Sequence, residues 1–388
     1  MTAHKENLSR RLNLGFIGGS VCSAVGYTHF VSSTMDKLWK VSAGAFSRDA
    51  ARNAETASVF GVDEDRVYGD WHQMIRDERG RLDAVVILTP SPAHFEMAAA
   101  CIEAGYPVIC EKALAVNSRQ VQALQELRDR HHGFLAVTYN YSGYPMVREL
   151  RQLIRSGLLG QIKHFQVEMP QEGFIRVDAS GNRPQPQDWR LHDGDVPTIY
   201  LDLGVHLHQL VHYLTGETAV SVSGQHASYG WFPDVVDNVS AICHYTHEVQ
   251  GGIWFSKSAL GHRNGLRLRI FGTEMAAEWV QVNPEEIVLS HRNGRREILD
   301  RAGSAIIANA ARYTRFKAGH PAGFMEAFAN IYKDIANAVT HYQSTRDFVS
   351  DEIFSTEMAG NGLRFLEAIN RSATSGRWEN VNAEPPLV

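Results

Sequence analysis

Asp202 and His206 stand four residues apart in "LDLGVHLHQLVHYLTG". On a helix that spacing puts them on one face, one turn from each other. A carboxylate beside an imidazole orients the ring and raises its basicity, which suits a proton acceptor or donor. His208 and His212 repeat the spacing and could serve a metal. No acidic third ligand is evident, and Asp202 and His206 need not share their face. A partly exposed helix carrying several histidines accounts for the pair better, so no metal is expected.

A second set of residues lies at the ends of apolar runs. "IGGSVCSAVGYTH", residues 17–29, carries Gly18, Gly19, Ser20, Ser23 and Gly26 between a strand-like run and a helix-like one. Unsatisfied amides at a helix N-terminus, with the helix dipole behind them, attract phosphate. Glycine permits positive φ and close ligand approach, and serine can donate its hydroxyl. A plain G-x-G-x-x-G is absent, and a tight turn without a ligand is the alternative for this loop read alone. The next apolar run ends in Phe46-Ser47-Arg48, where an NAD-preferring site places an acidic residue on the ribose. Ser47 and Arg48 have the chemistry to accept a 2′-phosphate, so NADP is slightly preferred and NAD allowed. A solvated arginine at a helix start is the competing reading of Arg48. Thr89, Pro90 and His94 come after the run from Asp83, while Glu111 and Lys112 close "PVICEK". Ligands of open α/β sheets bind at carboxyl ends of strands, which would put Glu111 and Lys112 near a nicotinamide. A surface ion pair is the alternative.

The elements that must position these residues emerge from periodicity. "LNLGFI", "VSAGAF", "DAVVILTP", "PVICEK" and "FLAVTYN" read as strands alternating with helices, which predicts a doubly wound parallel sheet over residues 1–141. Residues 142–388 change character. After the helix "GYPMVRELRQLIRSG" come longer, partly alternating strands with tight turns, predicting a mostly antiparallel open sheet. The helices "LHQLVHYLTG" and "GFMEAFANIYKDIANAVTHY" are expected to cover its one buried face, although the C-terminal helices have the option of packing back on the first domain. The loop Gln171–Pro197 is long enough to suggest function or mobility.

Bulk properties narrow the class. At 388 residues the chain exceeds one ordinary core, so two domains are expected. A net charge of −5 gives no basic footprint for nucleic acid, and no apolar run is long enough to span a membrane. Cys22, Cys101, Cys110 and Cys243 form no C-x-x-C pair, which predicts reduced and mostly buried thiols. Ser9-Arg10-Arg11-Leu12 faintly matches a twin-arginine export signal, but it leads straight into a strand with no cleavage region behind it. The cytoplasm is the expected location.

The order of the motifs is more specific than any one of them. A glycine-rich βα loop, T-P-x-x-x-H, E-K, Tyr139-Asn140-Tyr141 and then D-x-G-x-H resemble the Gfo/Idh/MocA family of NAD(P)-dependent oxidoreductases over nearly the whole chain. The resemblance implies that Gly18, Gly19, Ser20, Ser23 and Gly26 form a lengthened cofactor loop. It further implies that Lys112 contacts both cofactor and substrate, and that Asp202 and His206 handle the substrate and its proton. Thr89, Pro90 and His94 would line the nicotinamide ribose. Asn140 and the Trp189-Arg190 element would also serve the cofactor. Tyr144, His320 and polar residues of the 171–197 loop are candidates for substrate hydroxyls. Three departures fall on the substrate side: Ala113 replaces the proline of E-K-P, Val196–Tyr200 replaces a glycine-rich run, and Gln209 replaces an acidic residue. The expected activity is hydride transfer with a sugar, polyol or glycoside, by a homodimer or homotetramer. An NAD-dependent hydrolase using transient oxidation and a non-catalytic nucleotide sensor are the alternatives.

Overall fold

The computed structural model describes residues 10–348 and 350–383. Ser9 of the export-like tetrad lies outside them. The chain divides into two units. One holds the described residues through Gly143 together with Gly323–Gly360; the other holds Tyr144–Ala322 and the described residues from Asn361.

In unit 1 the short apolar runs are strands: β1 (Leu12–Gly18), β2 (Trp39–Ala45), β3 (Ala84–Leu88), β4 (Val108–Glu111) and β5 (Leu135–Thr138). Every residue of β3, β4 and β5 is buried, which is why these runs do not alternate. All neighbours pair in parallel, in the order β2-β1-β3-β4-β5. The order reverses between β1 and β3, so a crevice opens beyond their carboxyl ends. The helices are α1 (Gly26–Thr34), α2 (Ala50–Phe60), α3 (Trp71–Asp77), α4 (His94–Glu103) and α5 (Ser118–Arg130). Local chemistry bounds α2: Asp49 accepts the Arg52 N–H at 2.8 Å, and Gly61 takes the left-handed conformation at φ 66°.

Unit 2 opens with α6 (Pro145–Arg155), then β6 (Ile162–Pro170) and α7 (Val205–Thr215). Next come β7 (Ala219–Ala227), β8 (Asn238–Tyr245), β9 (Gln250–Ser256), β10 (Arg267–Gly272), β11 (Met275–Val280), β12 (Asn283–His291) and β13 (Arg296–Asp300). With β14 (Glu379–Asn380) they form a nine-stranded sheet, order β13-β12-β11-β10-β6-β9-β8-β7-β14. Among the described residues of this sheet, only β6 and β9 pair in parallel. In β8, Val239, Ala241, Cys243 and Tyr245 point inward and alternate with outward residues, the mark of a sheet with one open face.

Two helices complete the chain, α8 (Phe324–Thr345) and α9 (Thr356–Ser375). The expectation that α8 covers the antiparallel sheet is corrected. Its Ile331, Ile335, Val339 and Tyr342 join Leu12, Trp39 and Phe134 in the core of unit 1. Trp39 Nε1 donates to the Tyr332 carbonyl at 2.9 Å. An apolar helical stripe shows that a helix packs, not which sheet it packs on. From Asn361 onward α9 belongs to unit 2, where a Cβ on Gly224 of β7 would meet Ile369 Cγ2 at 2.8 Å. Among the described residues no helix is long and apolar enough to cross a membrane. Cys101, Cys110 and Cys243 are buried, whereas Cys22 is exposed in the β1–α1 loop.

Candidate active site

The β1–α1 turn is closed on itself. Gly18 and Gly19 have φ of 77° and 72°. A Cβ on Gly19 would stand 2.4 Å from Leu88 Cδ1, and one on Gly26 would stand 2.1 Å from the Gly19 carbonyl oxygen. The glycines are thus required by the turn itself. The Ser23 amide donates to the Ser20 carbonyl at 2.7 Å, and Ser23 Oγ accepts from the Gly26 amide at 3.3 Å. Helix α1 starts after Val25, which has no polar side chain to cap it, and carries no acid in its first turn. Both features suit an anion at this end. At the end of β2, Ser47 Oγ accepts from the Asp49 amide at 3.1 Å and keeps its proton to donate; Arg48 is exposed. Beyond β5, Asn140 is 2% exposed, and its buried Nδ2 has no hydrogen-bond partner among the described residues. An orphaned donor there, with a glycine turn and an uncapped helix start, fits a dinucleotide.

Two expected cofactor contacts turn inward. His94 is buried, with Nδ1 2.7 Å from the Ala113 carbonyl and Nε2 2.7 Å from the Thr89 carbonyl. Both ring nitrogens face carbonyls, to one of which a neutral ring donates its single N–H, so the side chain bridges the two loops rather than facing a ligand. Burial lowers its pKa further than the two carbonyls raise it. The bridge also holds the turn at Ala113, whose peptide bond with Lys112 is cis. Glu111 is buried and accepts from His29 Nε2 at 2.9 Å and from Thr138 Oγ1. Burial works to raise its pKa, but the His29 hydrogen bond and the charge of Lys112 hold it below the usual carboxylate range. Thr89, after β3, reaches Met97 Sδ with its hydroxyl at 3.4 Å and leads into Pro90.

In unit 2, Asp202 sits in one turn of π-helix, Tyr200–Gly204, that runs directly into α7. Such a turn widens the helix, so the simple four-residue face does not carry over unchanged; single π turns recur at functional sites. Asp202 Oδ2 pairs with both Arg190 and Lys257. The Arg190 guanidinium lies 4.4 Å from the Trp189 ring centroid. Lys257 comes directly after the last residue of β9 and is 5% exposed. Its amide donates to the Asp237 carbonyl at 2.7 Å, its carbonyl accepts from Phe174 at 2.8 Å, and Nζ lies 4.9 Å from the Phe174 ring centroid. Lys257 is the functional candidate that motif reading missed. Its one signal is a lysine at the exit of an alternating apolar strand, "IWFSK". His206 is buried in the first turn of α7, and Gln209, one turn on, has neither amide atom partnered among the described residues. The departures at Val196, Ile199 and Tyr200 are packed inward, and Asp193 accepts from the Thr198 and Val236 amides at 2.8 Å each, pinning the end of the long loop.

The remaining candidates have partners of their own. Tyr144 is 1% exposed; its hydroxyl accepts from Gln281 Nε2 at 3.0 Å and its ring packs on Trp279, so burial removes it from the expected hydroxyl contacts. His320 lies on the exposed loop after β13, against Phe316. His212 Nδ1 is 3.0 Å from the Glu217 carbonyl, and its ring stacks parallel to that of His208. Burial pushes the His208 pKa down to about 3. Unfolded, the ring titrates near its ordinary value of about 6.5 and binds a proton that the folded state refuses. Stability is therefore expected to fall as pH drops below that value, by up to about 1.4 kcal/mol per pH unit. Urea midpoints measured from pH 6.5 to 5 should show a shallower loss in His208→Leu; an unchanged slope refutes this.

Known proteins with this arrangement are numerous. Residues 12–139 match the model described as "Oxidoreductase family, NAD-binding Rossmann fold", and residues 147–278 match the "GFO/IDH/MocA C-terminal domain". The chain is 28% identical over 381 residues to "Uncharacterized oxidoreductase YfiI" of Bacillus subtilis, covering 95% of this chain and 96% of that protein. It is 26% identical to levoglucosan dehydrogenase of Pseudarthrobacter phenanthrenivorans, covering 68% and 72%. An inositol dehydrogenase homolog from Azotobacter vinelandii, solved with NADH and myo-inositol, superposes with a TM-score of 0.85 at 25% identity, covering 96% of this chain and 98% of that one. A glycine turn at the switch point of a Rossmann sheet, with an antiparallel unit after it that carries D-x-G-x-H, places the chain in the Gfo/Idh/MocA family of oxidoreductases.

Proposed function

We propose that the protein moves hydride between a nicotinamide and a secondary alcohol or ketone carbon of a sugar, polyol or glycoside. The observation that carries this reading is a carboxylate, Asp202, gripped by two cations and followed four residues on by the buried His206. The names of the relatives, levoglucosan dehydrogenase and an inositol dehydrogenase homolog, support a polyhydroxylated substrate. The bound cofactor supplies the hydride chemistry, and the chain supplies position and proton handling. Gly18, Gly19, Ser20, Ser23 and Gly26 with the start of α1 hold the pyrophosphate. Asn140 Nδ2 supplies a buried donor to the cofactor. His206 takes the hydroxyl proton in the oxidative direction, Asp202 fixes the site's charge, and Lys112 stabilises negative charge on the substrate oxygen. Screening levoglucosan, inositols and simple sugars with NAD⁺ and NADP⁺, and monitoring the absorbance of the reduced nicotinamide, tests the reading. No turnover across that range refutes it.

The same reading makes a cofactor prediction. Ser47 and Arg48 stand where an acidic residue would repel a 2′-phosphate, so NADP(H) should bind at least as tightly as NAD(H). Ser47→Asp should penalise NADP selectively, and Arg48→Ala should weaken it. Fluorescence titration showing much tighter NAD binding by the unmutated protein overturns this.

A further inference from the structure

A buried polar chain in unit 1 is left unused by this chemistry. The Tyr332 hydroxyl of α8 lies 2.7 Å from His29 Nδ1; His29 Nε2 donates to Glu111 Oε1 at 2.9 Å; Thr138 Oγ1 donates to the same oxygen. All four residues are at most 5% exposed. An ionised carboxylate accepts both the His29 and Thr138 donors through one oxygen, so the arrangement suits an anion. Four elements converge to hold it: α1, β4, β5 and α8. An ionised carboxylate removed from water is costly unless it is bonded and matched by charge, and the next residue in the chain is Lys112.

We propose that Glu111 is the counter-charge of the cofactor site, offsetting the Lys112 ammonium so that the site favours the cationic oxidised nicotinamide over the neutral reduced one. This rests on the functional reading above and adds a direction to it, since a site biased toward oxidised cofactor is set up for alcohol oxidation. His29, three residues after Gly26, sits on the helix whose N-terminus takes the phosphates, so one helix serves both ends of the cofactor. Glu111 touches no reacting atom in this scheme and acts as a positioning residue through charge.

Glu111→Gln keeps the shape and removes the charge. Titrating NAD⁺ and NADH (or the NADP pair) by fluorescence should show the oxidised form weakened roughly tenfold relative to the reduced form. Glu111→Asp should restore the ratio, and Tyr332→Phe, which leaves the charge in place, should not move it. If Glu111→Gln does not fold, Lys112→Met carries the measurement: removing the ammonium that Glu111 offsets should move the ratio the opposite way, toward the oxidised form. An unchanged ratio in the folded variant overturns the inference while the functional reading stands. If the unmutated protein binds neither form, both fall.

Discussion

His206→Ala is expected to lower turnover roughly 10²–10⁴-fold, the usual contribution of a positioned general base. That corresponds to about 3–5 kcal/mol of lost transition-state stabilisation. Cofactor affinity should stay within about threefold, because the glycine turn at Gly18–Gly26 belongs to unit 1 and is untouched. His206 is buried, between Val205 and Leu207, so alanine leaves a cavity as well. A thermal melt of the variant separates that loss of packing from the loss of catalysis. Turnover should recover partly at high pH, where solvent takes the proton. A folded variant with full turnover at every pH places the proton acceptor elsewhere.

Lys257→Met should rank second. The side chains of Asp202 and Lys257 are only 12% and 7% exposed. Removing one partner of a buried pair strands the other, at a typical cost of about 3–5 kcal/mol. Arg190 still reaches Asp202 and should hold the loss near the lower figure. Methionine fills the volume over Phe174 but brings no charge, so kcat/KM should fall about 10²-fold with a lower thermal midpoint. Asp202→Asn in the same background should add less than its single effect, because the pair acts as a unit. Unchanged kcat/KM in a folded Lys257→Met removes Lys257 from the site.

What was legible in the residues was whatever is local. The buried parallel strands announced themselves as short continuous apolar runs. The glycine turn, the strand-end residues and the D-x-G-x-H element could be placed in order because each lies within a few positions. The short α3, with only Met74 buried, and the charged β12–β13 hairpin carry too little periodicity to be read. The π turn under Asp202 has no sequence signature of its own. Least visible were contacts between distant positions. Glu111 meets His29 across 82 residues, and His29 meets Tyr332 across 303. Without those partners Glu111 reads as a ligand contact, and with them it reads as a buried anion. Lys257 was missed for the same reason, being 55 residues from Asp202.

The packing of α8 has a consequence for how the protein is made. The parallel sheet of unit 1 leaves the ribosome first, but Ile331, Ile335, Val339 and Tyr342, which complete its core, arrive only after Tyr144–Ala322 has been synthesised. Until then Leu12, Trp39 and Phe134 lack their native cover, and the nascent chain carries an apolar sheet surface open to aggregation or to chaperones. His29 and Glu111 likewise wait for Tyr332. Vectorial synthesis therefore cannot finish the nucleotide-binding unit early; it matures only when the C-terminal helices arrive, and its folding is bound to long-range closure rather than to local speed.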